Sequence, residues 1–204
     1  MKYRIYIGIT LVALLMTACK KDEEDPYLEV WKQQNEQAFN NLANNPDFTE
    51  LHLPGGTGSI YYRVIQQGTG KRLYYNSKAE VYFKGSFVVT NDDYGIKMGD
   101  IFRQRLFDDG VTFKIALSPD ATDAIGLYYS DFPHLIEGWK IALQYMVEGD
   151  KWEICIPYQL AYGEKGFYAT PDRLQALLFR VRVPGFSILA YELELIKAID
   201  PNEF

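Results

Sequence analysis

Apolar and polar residues alternate over 151–156, in the order Lys-Trp-Glu-Ile-Cys-Ile. This two-residue period is typical of a β-strand that buries one face. Pro157 follows at once, and we expect the strand to end there because proline cannot donate to a strand ladder. Cys155 is out of phase with the apolar positions, which predicts a packed or half-exposed thiol rather than a nucleophile.

The residues just before that strand show helical spacing instead. Apolar residues from Trp139 to Met146 recur at intervals of three and four, which predicts a helix over 135–147 with one apolar face. Gly149 suits the left-handed conformation that often ends helices. We therefore expect the helix to end at 148–150.

Further strands are predicted by the same alternation near 59–66, 79–88, 111–117 and 187–197. Strands with one helix between them, each with an apolar and a polar face, favour an α+β architecture in which a sheet packs against a helix.

A second helix is predicted near the N-terminus. Asp25 suits the N-cap and Pro26 the first helical position. Apolar residues then recur at helical spacing as far as the stop signal Asn44-Asn45-Pro46. The pattern predicts one amphipathic helix of about five turns, followed by a Gly-rich linker at 53–59.

The first eighteen residues have the pattern of a signal peptide. They begin with basic residues and continue with an apolar run over 5–16, which is too short to span a bilayer. Met16-Thr17-Ala18-Cys19 resembles the lipobox of bacterial lipoproteins, which predicts cleavage before Cys19 and acylation of that cysteine. The alternative is a plain signal peptide with an incidental cysteine. Acyl chains contribute about 0.8 kcal/mol per buried methylene, so they would anchor Cys19 in a lipid bilayer.

An acidic stretch, Lys-Lys-Asp-Glu-Glu-Asp, follows over 20–25. It forms a solvated tether, or it resembles the acid-rich signal that sends some lipoproteins of the Bacteroidetes type to the cell surface. Both readings place the chain in the bacterial cell envelope, lipid-anchored to the outer membrane on its periplasmic or its surface-exposed side. The predicted organisation is a lipoprotein signal peptide at 1–18, an acidic tether at 19–26, a helix with its linker at 27–57, and a main domain at 58–204.

Charge and residue counts exclude several functions. Cleavage after residue 18 would remove Lys2 and Arg4, leaving 19 basic against 27 acidic side chains, a net charge of −8. Such a chain lacks the basic footprint of a nucleic-acid-binding protein. Two histidines do not supply a metal cluster or a Ser-His-Asp set, and Gly68-Thr69-Gly70-Lys71 lacks the upstream glycine of a phosphate-binding loop, where Ile65 stands.

Residues 134–163 closely resemble the FKBP-type peptidyl-prolyl isomerases, in particular the bacterial branch that includes the macrophage infectivity potentiators. The matching pieces are Leu135-Ile136-Glu137-Gly138-Trp139, Met146 to Gly149, Lys151-Trp152-Glu153, and Ile156-Pro157 through Leu160-Ala161-Tyr162-Gly163. Segments 60–70 and 183–195 resemble the family's opening and closing strands. The resemblance, over roughly 58–198, implies an antiparallel, strongly bent sheet wrapped around the helix.

Two stretches, near 118–133 and 167–182, have no counterpart in a minimal domain of this family. The second contains a segment, 171–179, that could form an extra helix with Pro171 in its first turn. Both fall where the family builds loops around its pocket. Members of the potentiator branch dimerise through a much longer N-terminal helical arm, so the short helix here favours packing against its own domain, and a monomer over a dimer.

The resemblance also implies a site: an aromatic cup that binds a proline without any cofactor. Trp139 would form its floor, Ile136 would donate its backbone N–H to the substrate carbonyl, and Tyr162 would donate its hydroxyl. The predicted walls are Phe102, Phe113, Leu135, Val183 and Tyr191.

Two positions depart from the family pattern. In active members a strand tyrosine hydrogen-bonds an aspartate that follows a pocket phenylalanine. Here Phe83 takes the tyrosine position and, if Phe102 is the pocket phenylalanine, Arg103 takes the aspartate position. Both partners of the hydrogen bond are then absent, which leaves no orphaned buried polar group. In an alternative register Phe107-Asp108 is the pair, and the acid is retained.

The leading hypothesis is a prolyl isomerase that acts on proline-containing polypeptides of the envelope or exported through it, with activity reduced by Phe83 and Arg103. The first alternative is a non-catalytic chaperone or peptide-binding module with the same fold. The second is a surface structural component that uses the fold as a scaffold.

Overall fold

The computed structural model describes residues 26–52, 58–105, 113–116, 136–168 and 182–200. The predicted signal peptide, Cys19, the acidic stretch at 20–25, Leu135, the stretch at 118–133 and the helix predicted at 171–179 lie outside the described residues. Within those ranges, no helix is both long enough and apolar enough to cross a membrane.

The predicted α+β class is confirmed. The chain forms helix α1 (Pro26–Asn41), strands β1 (Thr49–His52), β2 (Ser59–Gln66), β3 (Lys78–Phe87), β4 (Ile101–Arg105) and β5 (Phe113–Ala116), helix α2 (Glu137–Leu143), and strands β6 (Lys151–Ile156), β7 (Phe167–Tyr168), β8 (Arg182–Val183) and β9 (Leu189–Ile199). Short 3-10 turns at Leu42–Asn44 and Tyr158–Leu160 follow α1 and β6.

The main sheet is antiparallel, with the strand order β1-β2-β6-β9-β3-β4, and β5 also pairs with β3. The long strand β9 lies between β6 and β3, and its residues alternate between buried and partly buried along most of its length. Since buried positions alternate in this way, one face of the sheet carries the main core and α2 lies against it.

Helix α2 is buried on almost every side, because five of its seven residues are inaccessible to solvent. It lies so close to β6 that a Cβ on Gly138 would come within 2.4 Å of the Ile156 side chain. The predicted end at 148–150 is wrong: the helix stops at Leu143, although Met146 is still fully buried. Gly149 does adopt a left-handed conformation, φ 89°, but in the turn that leads into β6.

Helix α1 packs against its own domain, as the sequence predicts. Trp31 and Asn35 are buried, and the Phe39 ring meets the Tyr61 ring edge-on at 5.1 Å on the outer face of the sheet. The prediction that β6 buries only one face is therefore wrong at its C-terminal end. Cys155, on the outer face, is 3% exposed and belongs to a second cluster that includes Tyr61 and Ile188.

Candidate active site

Three aromatic rings meet where α2 lies on the sheet. The Trp139 ring, from α2, meets the Phe83 ring of β3 at 4.9 Å and the Tyr191 ring of β9 at 5.1 Å, both edge-on. Edge-to-face pairs at such distances are favourable because the edge of one ring is positive and the face of the other is negative. All three residues are at most 1% exposed, so this cluster is part of the packed core.

A fourth ring extends the cluster from β4. Phe102 lies at a bulge, between the pairs Gly85–Arg103 and Ser86–Ile101, and its ring meets that of Tyr191 edge-on at 5.6 Å. Gly85 makes this possible, because a Cβ there would lie 2.6 Å from Tyr191 Cε1 and 2.7 Å from Phe102 Cζ.

The start of α2 supplies backbone donors beside the cluster. Ile136 is the N-cap with an extended backbone, φ −63° and ψ 141°, and its carbonyl accepts from the Trp139 N–H at 3.1 Å. Its own N–H precedes the first turn and has no acceptor within the helix. The Trp139 indole Nε1–H is also buried and has no hydrogen-bond acceptor among the residues that the structure describes.

The loop after β6 holds Tyr162 through a tight turn. The Gly163 N–H donates to the Tyr158 carbonyl at 2.8 Å, and the Phe186 N–H donates to the Gly163 carbonyl at 3.0 Å. The Tyr162 ring stacks on Phe167 with centroids 5.0 Å apart. These bonds fix the loop that carries the Tyr162 hydroxyl against the segment that precedes β9.

Strand pairing brings Val183 to the same region. Phe167 of β7 pairs through its backbone with Val183 of β8, which is 1% exposed. Phe167 therefore contacts both Val183, through the strand pair, and Tyr162, through ring stacking. Phe113 lies in β5, where its backbone pairs with Val81 of β3. Leu135 and the alternative pair Phe107-Asp108 lie outside the described residues.

The described residues contain no group of three or more histidine, cysteine, aspartate or glutamate side chains that could hold a metal ion. One charged cluster lies on the outer face of the sheet, where Glu192 contacts Lys84 and Lys151. Burial opposes the charge on Glu192, but the hydrogen bond and charge of Lys84, helped by Lys151, hold the pKa of Glu192 below its usual value. The floor of aromatic rings on the inner face is apolar by contrast.

Sequence reasoning missed the part that α1 plays at this site. The Trp31 Nε1–H donates to the Gly185 carbonyl at 2.9 Å, and the Ile188 N–H donates to Asn35 Oδ1 at 2.8 Å. Both acceptor–donor pairs join α1 to the segment between Val183 and β9. A tryptophan and an asparagine one turn apart on a predicted amphipathic helix were the available signal, but their partners are more than 150 residues away.

An antiparallel sheet over one short buried helix, with rings of two strands on the helix tryptophan, defines an FKBP-like α+β protein. Comparisons with known proteins agree. The profile of the family described as FKBP-type peptidyl-prolyl cis-trans isomerase matches residues 129–196. The chain is 30% identical over 142 residues to the FKBP-type 22 kDa peptidyl-prolyl cis-trans isomerase of Escherichia coli (strain K12), a match that covers 69% of this chain and 50% of that protein.

Two further comparisons cover most of the other protein. The peptidyl-prolyl cis-trans isomerase FKBP2 of Mus musculus is 30% identical over 150 residues, 71% of this chain and 84% of that one. The crystal structure of a peptidyl-prolyl cis-trans isomerase from Pseudomonas syringae pv. tomato superposes with a TM-score of 0.56 at 24% identity, covering 84% of this chain and 96% of that one. This chain belongs to the FKBP-type peptidyl-prolyl cis-trans isomerase family.

Proposed function

We propose that this chain catalyses cis-trans isomerisation of Xaa-Pro peptide bonds in polypeptides of the bacterial envelope. The observation that carries the proposal is the Trp139 indole at the start of α2, packed against rings from β3 and β9 in a chain of this family. The chain spans half the length of the Escherichia coli relative, so the proposal rests on these residues and not on the whole of that protein.

The reaction suits an apolar site because no bond is broken. The barrier is the loss of amide resonance, about 18–20 kcal/mol. Water stabilises the polar planar amide more than the twisted one, so a dry cup lined by Trp139, Phe102 and Tyr191 favours the twisted transition state. No group in such a cup needs to titrate or to bind a cofactor.

Two donors complete the proposed mechanism. The Ile136 N–H, which has no acceptor within α2, binds the substrate carbonyl, and the Tyr162 hydroxyl donates a second hydrogen bond. The turn between Tyr158 and Gly163 and the stacking on Phe167 support this role by limiting how far Tyr162 can move.

We further propose that Phe102 is the pocket phenylalanine and that Phe83 and Arg103 lower the rate without abolishing it. The contact between the Phe102 and Tyr191 rings supports this register. Phe83 is 1% exposed, so a phenylalanine there adds packing and needs no polar partner.

The location in the envelope rests on the sequence before the helix. The apolar run at 5–16 and Cys19 favour export and acylation, and an acylated N-terminus would hold the domain at the outer membrane. Metabolic labelling with an alkyne fatty acid tests this: wild-type chain should be labelled and Cys19→Ser should not. Equal labelling of the two chains would exclude acylation at Cys19.

A protease-coupled assay on a four-residue Xaa-Pro peptide tests the activity. Tyr162→Phe should lower kcat/KM about fivefold, the value of one neutral hydrogen bond of about 1 kcal/mol. Tyr145→Phe is the matched control, since Tyr145 lies two residues beyond the end of α2 and is 39% exposed, and it should leave kcat/KM unchanged. If the folded wild-type domain gives no rate above the uncatalysed one, the proposal is wrong.

A non-catalytic chaperone is the second candidate, and the near-complete burial of Phe83, Trp139 and Tyr191 favours it. Such a module should suppress aggregation of a proline-free client while leaving Xaa-Pro isomerisation at its spontaneous rate. A measurable kcat/KM on the short peptide removes this candidate as the sole function.

A further inference from the structure

A groove of about 530 Å³ runs between α1 and the turn that follows β6. One wall is the face of α1 that carries Glu36, Phe39 and Asn40, and the other carries Gln159, Leu160 and Phe186. The groove is separate from the ring cluster around Trp139, because none of those rings lines it. Its size is in the range of sites that bind small molecules or peptide segments.

Two rings of the groove lie on chain segments that also carry residues of the proposed active site. Tyr158 and Phe186 both line it and meet edge-on with centroids 5.0 Å apart. Tyr158 is four residues before Tyr162, and Phe186 is three residues after Val183. A chain extends at most about 3.3–3.6 Å per residue, so the groove begins within roughly 14 Å of the proposed cup.

The chemistry of the lining indicates what the groove can bind. Phe39, Leu160 and Phe186 offer apolar surface, while Asn40 and Gln159 are exposed and carry amides that both donate and accept hydrogen bonds. Amides of this kind match the peptide group whatever the sequence. Glu36 is the one charged side chain in the lining and already meets the Tyr158 hydroxyl at 3.4 Å. The lining therefore fits an uncharged, extended polypeptide.

We propose that this groove is an extended subsite that binds the non-native client polypeptide beyond the proline held in the cup. The inference rests on the proposed function and specifies its substrate: a chain that extends about four or more residues from the proline to one side. A tetrapeptide is too short to occupy both the cup and the groove. Binding energy gained in the groove should appear as a higher kcat/KM for long substrates alone.

Three peptides with the same Xaa-Pro bond test this in the full chain: a tetrapeptide, and two peptides extended by eight mostly apolar residues before or after the proline. For the wild type we expect one extended peptide to exceed the tetrapeptide in kcat/KM by about tenfold, equal to about 1.4 kcal/mol of added binding. Asn40→Trp, which places an indole in the groove, should remove that advantage. Gln37→Trp puts the same side chain on an exposed position of α1 outside the lining and should retain it.

Equal kcat/KM values for all three peptides in the wild type, or an advantage that survives in a folded Asn40→Trp, would overturn the inference. A second measurement separates it from the proposed function: the fluorescence anisotropy of a labelled, proline-free extended peptide. The wild type and Gln37→Trp should bind this peptide equally, and Asn40→Trp or Gln159→Trp should bind it more weakly. That result supports the groove even if no isomerisation is found. Failure of the wild type to bind this peptide contradicts the groove, whereas failure to isomerise the tetrapeptide contradicts only the proposed activity.

Discussion

Gly85 is the position where a single methyl group should disturb the site most directly. It lies on β3 beneath the Tyr191 and Phe102 rings, and a Cβ would come within 2.6 and 2.7 Å of their nearest carbon atoms. Carbon atoms in contact normally lie about 3.5–4.0 Å apart. In Gly85→Ala both rings must therefore move by about 1 Å, away from the positions in which they pack on each other and in which Tyr191 packs on Trp139.

The expected cost follows from two opposing terms. Overpacking a core typically destabilises by about 1–3 kcal/mol, whereas alanine in a strand regains about 0.5–1 kcal/mol of backbone entropy relative to glycine. The net loss of unfolding free energy should be about 0–2.5 kcal/mol, which corresponds to a fall in Tm of up to roughly 10 °C in a chain of this size.

Thermal unfolding and the tetrapeptide assay should be measured together. Because Tyr191 and Phe102 are proposed walls of the cup, kcat/KM of folded Gly85→Ala should fall at temperatures well below its Tm. Ser86→Ala, on the next position of β3, should change stability by less than about 0.5 kcal/mol and leave activity intact. If Gly85→Ala keeps both the wild-type Tm and the wild-type kcat/KM, the rings do not pack as described.

Three further outcomes follow from buried or paired groups. Asn35→Ala removes the acceptor of the buried Ile188 N–H and should lower the unfolding free energy by about 1–2 kcal/mol in urea titrations, the helix propensity of alanine offsetting part of the loss. Burial and the Glu153 charge raise the pKa of the Cys155 thiol to about 12, so alkylation of Cys155, followed by peptide mapping, should be far slower in the native than in the denatured chain. The lowered pKa of Glu192 stabilises the fold above the ordinary glutamate pKa, and this is lost as pH falls through the lowered value. Glu192→Gln should therefore cost less than about 1 kcal/mol near pH 7, since the carboxylate is about a third exposed. The cost should shrink as the pH falls through the lowered pKa of Glu192.

The alternation of apolar and polar residues placed two strands at the residues where the structure has them. Strands β2 and β6 begin and end where alternation places them, at 59–66 and 151–156. β1 was missed because its four residues are mostly exposed and show no alternation. β4 was missed because only Ile101 and Phe102 are apolar in a strand that continues with Arg-Gln-Arg. Pairing with β3, and not a periodic pattern, makes that segment a strand.

Periodicity also overextended α2. Met146 keeps helical spacing from Trp139 and is fully buried, yet the chain has left the helix by Gln144. The Asp150 carboxylate explains the difference, because it accepts from the Val147 N–H at 2.7 Å and from the Gly68 N–H at 2.7 Å. Because this buried carboxylate binds backbone donors of two segments, the chain forms a tight turn here instead of continuing the helix. Helical periodicity could not show this, since one of the two donors is 82 residues away.

At the site too, sequence pattern predicts positions within an element but not contacts between distant segments. Trp139, Tyr191 and Phe102, which the family resemblance predicts for the site, form one cluster in which Tyr191 contacts both other rings. Trp139 and Tyr191 lie on elements that periodicity predicts, whereas Phe102 lies on β4, which periodicity missed. Their roles in binding and catalysis stay predictions. The contacts of α1 were not readable, because Trp31 and Asn35 look like the core positions of any amphipathic helix until Gly185 and Ile188 are brought beside them.

Those contacts make α1 part of the proposed site rather than an appendage. Gly185 and Ile188 lie between two predicted walls of the cup, Val183 and Tyr191, and each makes a backbone hydrogen bond to a buried side chain of α1. The Trp31 ring, 0% exposed, also meets Tyr94 edge-on at 5.8 Å, so the helix joins the β3–β4 connection to the segment before β9. Trp31 thus contacts two connections that flank the site. Displacing α1 would leave the Gly185 carbonyl and the Ile188 N–H without their partners, on the same segment that positions the walls. Stability of the helix contact and geometry of the cup are therefore expected to change together.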